Sequence, residues 1–436
     1  MNEVQECLPV DAYDGFNIIY EKYFGNCQIN CILRLNGKIN EEILKEAIRI
    51  SWKVEPILGY CLVEIDNQLV WKQREDLNKI EACSIVETQE ADAELQAFVS
   101  EKYNYEDDCQ VKVRIVRADT DTICVKIHHA CSDAGGLKQY VKLLLSIYND
   151  LEKGEQYVVK SRECVNRSQD LELRLPSIEN IANSEEDGPG PKDTVGFPCS
   201  VVGNKEQMFL VRKMDSEQVD AVKNYARKHG ATVNDVLLTA YNKALSKYAK
   251  IQDNMLSVCV TVDLRRYLPD TNEIAICNFS GMNVIEISHN LDESFDETLA
   301  KVLSKTKKMK SNHLALKGAL GFSKTFTSVG LKNMDAYFQQ LGEEISKTGV
   351  SNPWFSNVGV ISDEKINFGL LEIEDCYIIG PAMFPPGSGI VPSTYNNTLT
   401  LSVNFFQSTL QKERMEQVID TMLTDLYSCV AMADKA

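Results

Sequence analysis

The chain has 436 residues, of which 44% are hydrophobic and 25% are charged, as is typical of globular proteins. This composition excludes collagen-like, low-complexity and intrinsically disordered chains, and the length suffices for two or three domain-sized units. The 63 acidic residues outnumber the 46 lysines and arginines, which gives a formal net charge of −17. A chain this acidic is not expected to bind nucleic acid or an anionic membrane surface.

The lack of a targeting pattern, together with the cysteine usage, leads us to expect a cytoplasmic protein. No stretch approaches about 18 consecutive apolar residues, so no membrane-spanning helix is predicted. Residues 1–6 are acidic and lack the basic start and apolar core of a signal peptide. The 14 cysteines are scattered without a Cys-x-x-Cys pair, and none of the five histidines lies at ligand spacing from paired cysteines. Reduced, buried cysteines and no metal site are therefore expected.

The first part of the chain alternates strand and helix patterns. Residues 27–35 predict a strand and residues 40–52 an amphipathic helix. Residues 111–116 and 122–128 are joined by a short polar turn, which predicts an antiparallel hairpin. A second amphipathic helix is predicted over residues 137–151.

A change in character follows and suggests the domain organisation. Residues 161–205 contain an acidic run rich in glycine and proline and few periodic apolar positions. This segment is predicted to be a linker or crossover between an N-terminal lobe, residues 1–160, and a C-terminal lobe, residues 206–436.

The strand and helix pattern restarts in the C-terminal lobe. Strands are predicted at residues 207–214, 255–262, 282–288, 357–362 and 398–406, and helices at residues 216–229, 232–250, 294–310 and 412–432. Thr232 is the predicted N-cap of the second of these helices. Both halves of the chain are therefore predicted to be mixed α/β structures.

The clearest chemical signal is the segment His-His-Ala-Cys-Ser-Asp-Ala-Gly-Gly at residues 128–136. It lies where a predicted strand ends and a helix begins, so its side chains are expected to project into a crevice. Strand alternation places His129 on the same face as Ile127, which is apolar, and His128 on the opposite face. Burial keeps a histidine neutral, so His129 is the candidate general base. A satisfied core histidine is the alternative interpretation.

The motif His128-His129-x-x-x-Asp133-Ala134 resembles the HHxxxDG signature of condensation domains and acyl-CoA-dependent acyltransferases. This superfamily includes chloramphenicol acetyltransferase, alcohol and wax-ester acyltransferases and the condensation domains of nonribosomal peptide synthetases. Further segments resemble the family in the expected order, namely residues 35–58, 231–238, 262–279 and 356–359. One position departs from the signature, because Ala134 replaces the usual glycine and Gly135 follows one place later.

The resemblance implies an α/β (α+β) fold in which two chloramphenicol-acetyltransferase-like lobes form a pseudo-dimer around a central tunnel. His129 would remove a proton from a hydroxyl or amine acceptor, which attacks a thioester, and His128 would support it. The motif residue Asp133 would pair with Arg265 of the other half, for which Asp263 and Arg266 are local competitors. Gly135 and Asn278 would support the motif.

Acyl transfer also requires groups that bind the oxyanion and the donor. Ser356 and Asn357 are candidate oxyanion or tunnel residues. Six lysines lie within residues 301–317, and of these Lys307 and Lys308 are candidates for binding donor phosphates. A solvated helix face is the alternative for this basic segment.

No bound cofactor is expected, and a coenzyme A thioester is the expected co-substrate, because no segment resembles a carrier-protein or adenylation domain. A stand-alone condensation enzyme that uses an acyl or peptidyl carrier protein is the alternative. A monomer acting on a small-molecule acceptor is expected.

Three other interpretations stay open at this stage. Cys131 lies two residues beyond His129 and could serve as an acyl-accepting nucleophile. His128, His129 and Asp133 could bind a metal ion, although adjacent histidines of a strand point to opposite faces. Finally, Ala134 leaves room for a non-catalytic member of the fold that binds a thioester or a protein.

Overall fold

The computed structural model describes residues 6–158, 192–197, 206–268, 276–311, 313, 315–406 and 409–433. The predicted linker, residues 161–205, lies outside the described residues except for its short stretch 192–197, so the two lobe boundaries stay predictions. Within the described ranges the helices are α1 (Ala12–Phe24), α2 (Glu41–Val54), α3 (Ala91–Ser100), α4 (Ala134–Glu152), α5 (Ser216–Lys228), α6 (Val233–Tyr248), α7 (Phe295–Ser311), α8 (Leu316–Val329), α9 (Leu331–Thr348) and α10 (Thr409–Ala433).

The strands follow the same chain order. They are β1 (Cys7–Pro9), β2 (Gly25–Asn26), β3 (Gln28–Leu35), β4 (Tyr60–Ile65), β5 (Gln68–Gln73), β6 (Cys83–Glu87), β7 (Val111–Arg117), β8 (Asp121–His128), β9 (Val195–Gly196), β10 (Gln207–Met214), β11 (Lys250–Ile251), β12 (Met255–Asp263), β13 (Ser280–Ser288), β14 (Trp354–Phe355), β15 (Gly359–Ser362), β16 (Asn367–Phe368), β17 (Leu371–Ile379), β18 (Ala382–Met383), β19 (Gly389–Tyr395) and β20 (Thr398–Phe406). Short 3₁₀ turns cover Pro56–Gly59 and Leu264–Tyr267.

The N-terminal lobe is built on a sheet with the strand order β16-β17-β3-β8-β7-β6. β7 and β8 form the predicted antiparallel hairpin, and β8 also pairs antiparallel with β3. Helices α2 and α4 pack together over one face, where Leu44, Ile48, Leu137 and Leu144 are fully buried in the lobe's main core. Helix α3 covers the other face, so the sheet is buried on both sides.

The C-terminal lobe is built on a larger curled sheet with the order β13-β12-β14-β19-β20-β18-β2, to which β10 and β15 add. Helices α5, α6 and α10 pack against one another and against this sheet. Their buried side chains form the second large core, centred on residues such as Leu238, Leu245, Leu401 and Ile419. The two lobes with their separate cores confirm the predicted two-lobed α/β fold.

The two lobes exchange strands. β17 comes from the second half of the chain, yet it pairs antiparallel with β3 in the sheet of the first lobe, where Ile32 lies opposite Tyr377. In the other direction, β2 pairs with β18 in the sheet of the second lobe. Because each sheet is completed by a strand of the other half, the lobes are held together by backbone hydrogen bonds as well as by packing.

Three helices absent from the sequence prediction meet beside the lobe interface. Helix α1 packs against α8 and α9 through an aromatic cluster, in which the Phe16 and Phe322 ring centroids are 5.4 Å apart. Gly15 permits this contact, because a Cβ at that position would lie 2.8 Å from the Phe326 ring. The packing fixes α1 so that Glu21 reaches His128 of the motif and Asp14 reaches Asn278 beside it.

Helix capping explains where several elements begin. Thr232 caps α6 as predicted and forms a reciprocal capping box with Asp235. Asn40 caps α2 through its side-chain oxygen, and Asp11 caps α1 in the same way. Among the described residues, the helices are either too short or too polar to cross a lipid bilayer.

Candidate active site

The histidine motif lies at the contact between the lobes. β8 ends at His128, and α4 begins at Ala134 with Asp133 as its N-cap, whose Oδ1 accepts from the Gly136 N–H at 2.8 Å. Side chains of the C-terminal lobe, namely Arg265 and Asn278, reach across to this loop. The loop is therefore held by both halves of the chain.

His129 is held in one tautomer by Asn278. The Asn278 Nδ2 amide donates to the backbone oxygens of His129, at 2.8 Å, and Ala130, at 3.0 Å. These contacts orient the amide so that Asn278 Oδ1 faces His129 Nδ1 at 3.0 Å. Because Oδ1 can only accept, Nδ1 must carry the ring proton, which leaves the lone pair on Nε2 of the neutral ring. His129 therefore presents the nitrogen that a general base needs.

The environment of His129 keeps the ring neutral. Its side chain is half-buried, and burial lowers the pKa of His129 below its ordinary value of 6.5. The charge of Asp133 acts in the opposite direction but does not outweigh burial. An unprotonated imidazole is therefore the resting form at neutral pH.

His128 uses both of its ring nitrogens in structural hydrogen bonds. Its Nδ1 accepts from the Ala130 N–H at 3.1 Å, so the proton resides on Nε2, which donates to Glu21 Oε2 at 2.5 Å. The ring is fully buried, and those of Tyr103 and Tyr105 pack against it. His128 thus has no lone pair left for a substrate proton, and a supporting role stays a prediction for it.

The burial that strand alternation predicted for the two histidines was wrong in one respect. Alternation placed His129 on the buried face and His128 on the other, yet His128 is fully buried and His129 only half-buried. The reason is that the second face of the sheet is covered as well. Cys124 packs against Leu95 and Phe98 of α3. Further along the strand, the rings of Tyr103 and Tyr105 pack against His128. Every residue of β8 is buried, and His129 lies just beyond the end of the strand.

The predicted pair of Asp133 and Arg265 is present and buried. Arg265 Nη1 donates to Asp133 Oδ2 at 2.9 Å, and the two side chains are 6% and 3% exposed. The same oxygen accepts from the Phe279 N–H at 2.7 Å and the Ser280 hydroxyl at 2.8 Å. Burial alone would raise the pKa of Asp133, but Arg265 and these donors lower it. The competitor Asp263 is a secondary partner of Arg265, at 3.3 Å.

Gly135 explains how the motif tolerates alanine at position 134. A Cβ at Gly135 would lie 2.4 Å from Arg265 Nη1 and 3.2 Å from Asp263 Oδ2. The Arg265 guanidinium therefore approaches residue 135 so closely that this position requires a glycine. Ala134 is the half-buried first residue of α4, one position before this contact.

Ser356 and Asn357 lie in a loop of the other lobe. The Ser356 hydroxyl accepts from Thr261 at 2.9 Å, and Asn357 donates to Asn234 at 2.9 Å. Lys138 of α4 donates to the backbone oxygen of Val358 at 2.6 Å, which joins this loop to the helix that begins at the motif. These contacts do not reach His129, so the oxyanion role of the two residues stays a prediction.

Cys131 is a poor candidate for a nucleophile. Its side chain is fully buried in the main core of the N-terminal lobe, beside residues such as Leu137 and Tyr140. Fully buried thiols behave as small apolar groups rather than as reactive ones.

Five of the six lysines of the basic segment lie in the C-terminal part of α7, and Lys317 lies in α8. Lys307 and Lys308 are exposed and form no ion pair with the described residues. Lys310 pairs with Asp235 at 3.2 Å, at the start of α6. The neighbouring Asn234 contacts Asn357, so this end of α7 lies close to the loop that touches α4.

Two site residues were missed by the sequence analysis, Asp14 and Glu21 of α1. Glu21 contacts His128, and Asp14 Oδ1 accepts from Asn278 Nδ2 at 3.2 Å. Their spacing of seven residues puts both on one helix face. The N-cap Asp11 could have indicated the helix, and the i, i+7 spacing that both carboxylates share a face. Neither pattern indicates which residues the carboxylates contact.

Comparison with protein families matches part of the chain. Residues 23–164, which include the histidine motif, match the family model of the condensation domain. No curated protein matches the chain in sequence.

Solved structures extend the likeness to the whole chain. The first condensation domain of the CDA synthetase superposes with a TM-score of 0.67 at 12% identity, covering 98% of this chain and 97% of that chain. TRI3 trichothecene 15-O-acetyltransferase from Fusarium sporotrichioides gives 0.71 at 12% identity, with 96% and 95% covered. Polyketide synthase associated protein 5 from Mycobacterium tuberculosis gives 0.64 at 14% identity, with 96% and 99% covered.

The solved structures identify the fold, and the family model matches the segment that contains the motif. The match over residues 23–164 is one of sequence, whereas the superpositions cover both lobes. The resemblance to the superfamily of condensation domains and chloramphenicol-acetyltransferase-like acyltransferases, predicted from the motif, is confirmed, and the chain has their two-lobed fold.

Proposed function

We propose that the protein is an acyltransferase that moves an acyl group from a thioester to a hydroxyl or amine acceptor, with His129 as the general base. The observation that carries the proposal is the hydrogen bond between His129 Nδ1 and Asn278 Oδ1, which leaves Nε2 free to accept a proton. The lowered pKa of His129 supports it, because a neutral imidazole is the form that can act as a base.

The reaction would proceed in two steps at one centre. His129 Nε2 takes the proton of the acceptor as its oxygen or nitrogen attacks the thioester carbonyl. The tetrahedral intermediate then collapses, the C–S bond breaks, and the imidazolium returns the proton to the leaving thiolate. General-base catalysis of this kind contributes about 10²–10⁴-fold, and positioning of both substrates contributes much of the rest.

Asp133 would take no part in the proton transfer. Its carboxylate is buried, and its Oδ2 already accepts from Arg265, Phe279 and Ser280. We assign it to bracing the loop that carries His129. Ser356 and Asn357 remain the proposed oxyanion or tunnel residues, because their loop contacts α4 through Lys138 and Val358.

A coenzyme A thioester is the proposed donor. The exposed Lys307 and Lys308 offer cationic groups that suit its phosphates, near the loop that carries Ser356 and Asn357. A carrier protein bears a phosphopantetheine with a single phosphodiester, so the same lysines suit it less well. Condensation domains belong to the same fold, which keeps the carrier-bound donor as the second candidate.

A substrate screen tests the proposed function. The purified protein is incubated with acyl-CoAs of several chain lengths, or with acylated carrier proteins, and with pooled alcohols and amines. Mass spectrometry then detects acylated products and the released thiol. Transfer should depend on His129, so the His129→Gln variant should lose at least about 100-fold in rate.

A matched histidine variant controls for nonspecific effects. His229 is an exposed histidine on the outer end of α5, and His229→Gln should leave transfer unchanged. Binding of thioesters without transfer to any acceptor would contradict the enzyme and favour a non-catalytic binding protein. Transfer that persists in His129→Gln would refute His129 as the base.

A further inference from the structure

We propose that Asp14 is a positioning residue for His129 and acts on it through Asn278. The inference rests on the proposed function, because it assigns a partner to the proposed base. It concerns a helix, α1, that lies far from the histidine motif in sequence and meets it only in the folded protein.

The contacts form a short buried chain of hydrogen bonds. Trp71 Nε1 donates to Asp14 Oδ2 at 2.9 Å, and Asn278 Nδ2 donates to Asp14 Oδ1 at 3.2 Å. Asn278 then accepts from His129 Nδ1 at 3.0 Å. Asp14 and Trp71 are fully buried, and Asn278 is 2% exposed. Both carboxylate oxygens of Asp14 therefore act as acceptors.

The first consequence concerns the orientation of Asn278. An asparagine amide can turn by half a rotation, which exchanges its oxygen and its nitrogen. Such a turn would place Asn278 Oδ1 against the Asp14 carboxylate and two backbone oxygens, all of which are acceptors. The charge of Asp14 therefore favours the observed orientation, in which Oδ1 faces His129 and requires a proton on Nδ1.

The second consequence concerns the charge that His129 gains during the reaction. A proton taken up at Nε2 makes the ring an imidazolium, whose Nδ1–H bonds to Asn278. Since Asn278 in turn bonds to a carboxylate, its amide is polarised toward the ring and stabilises the cation. Asp14 should therefore raise the pKa of His129 relative to a variant that lacks this charge.

Other titratable or charged groups also lie near His129, and their effects must be separated from that of Asp14. Asp133 lies four residues along the loop and is paired with Arg265 from the other lobe. His128 is adjacent on β8 and is paired with Glu21 of α1. None of these groups is hydrogen-bonded to the Asn278 side chain, so a change at Asp14 can be distinguished from a change in the electrostatic field of the whole site.

The test follows the ring nitrogens of His129 by nuclear magnetic resonance. Protein labelled with ¹⁵N-histidine is titrated with acid, and the His129 signals are assigned from the His129→Gln variant. In the wild type, the neutral ring should carry its proton on Nδ1. In Asp14→Asn, which has the same shape without the charge, the pKa of His129 should fall by about one unit. The kcat should fall about tenfold with KM within about twofold.

A second aspartate of the same helix provides the matched control. Asp11 caps α1, and asparagine is an equally good N-cap, so Asp11→Asn removes one charge from α1 without touching Asn278. This variant should keep the wild-type pKa of His129. If Asp14→Asn fails to fold, Asp14→Ser is titrated in its place.

Three results would overturn the proposal. They are a proton on Nε2 of the neutral His129 ring in the wild type, an unchanged pKa of His129 in a folded Asp14 variant, and an equal fall of that pKa in Asp11→Asn. The titrations need no substrate, so they decide on Asp14 even if the screen finds no acyl transfer. A failed screen would count against the proposed function alone.

Discussion

Arg265 donates to Asp133 across 2.9 Å and thereby joins the C-terminal lobe to the loop that carries His129. Its other terminal nitrogen donates to the backbone oxygen of Cys277, also at 2.9 Å, so the guanidinium bridges two segments. Because both charges are buried, neither can lose its partner without a large cost in stability. This pair is the clearest structural link between the two lobes at the motif.

A double-mutant cycle should show strong coupling between Asp133 and Arg265. Asp133→Asn and Arg265→Ala should each lower the free energy of unfolding by about 3–5 kcal/mol, because each leaves a buried charge without its partner. The double variant should lose less than the sum, as measured by denaturant unfolding. Strictly additive losses would rule out the coupling.

The same pair predicts how stability depends on pH. The pKa of Asp133 is lowered in the folded state, whereas in the unfolded chain it should be about 3.9. As the pH falls, the unfolded chain therefore takes up this proton before the folded protein does. The contribution of Asp133 should be complete above about pH 5 and should fade as the pH drops through 4 and below. The free energy of unfolding of the wild type and of Asp133→Asn, each measured at pH 3 and pH 6, gives this contribution. The same pH dependence in both proteins would contradict a stabilising role of the Asp133 carboxylate.

Gly135 should be intolerant of a side chain. Gly135→Ala places a methyl group 2.4 Å from Arg265 Nη1, and displacement of the guanidinium should cost about 1–3 kcal/mol in unfolding free energy. Ala134→Gly is the matched control and should change stability by at most about 1 kcal/mol. Calorimetric melting of both variants measures the two losses of stability. Equal losses at the two positions would argue against a specific contact at Gly135.

The pH profile of transfer should reflect the environment of His129. A base is active in its unprotonated form, so a pKa lowered by burial shifts the acid limb of kcat/KM toward lower pH. The apparent pKa of this limb should therefore lie below the ordinary histidine value of 6.5. Initial rates from pH 4.5 to 8 at subsaturating donor measure it, and a limb above 6.5 would show that His129 is not the group observed.

Charge reversal of Lys307 and Lys308 should weaken donor binding. Lys307→Glu combined with Lys308→Glu should raise the KM for an acyl-CoA roughly tenfold and weaken its dependence on salt. The exposed Lys79 and Lys102 provide the control, because their reversal changes the net charge equally at another site. Unchanged donor kinetics in the Lys307→Glu, Lys308→Glu variant would mean that these lysines belong to a solvated helix face and do not bind the donor.

Local patterns predicted the parts of the structure that depend on neighbouring residues. β10 and β20 begin and end where the alternation of apolar residues predicted them, and Thr232 caps α6. The pair of Asp133 and Arg265 was predicted through the family resemblance, since no local pattern joins residues so far apart in sequence.

What the sequence could not predict depends on contacts between distant segments. Asp14 and Asn278 are 264 residues apart, and nothing in the pattern around Asp14 indicates an amide partner. The burial of His128 depends likewise on Tyr103, Tyr105 and Glu21, which cover a face that alternation alone leaves open to solvent. The first contact forms only when the lobes meet, and the second only when distant parts of the N-terminal lobe pack together.

The exchange of strands also determines when the protein can fold during synthesis. Ile32 of β3 pairs with Tyr377 of β17, so one edge of β3 has no partner until the nascent chain has grown by some 345 residues. At about 5–20 residues per second, that edge stays open for roughly tens of seconds on the ribosome. Open edges invite pairing with other chains. Slower elongation of the chain should therefore increase aggregation unless a chaperone protects β3.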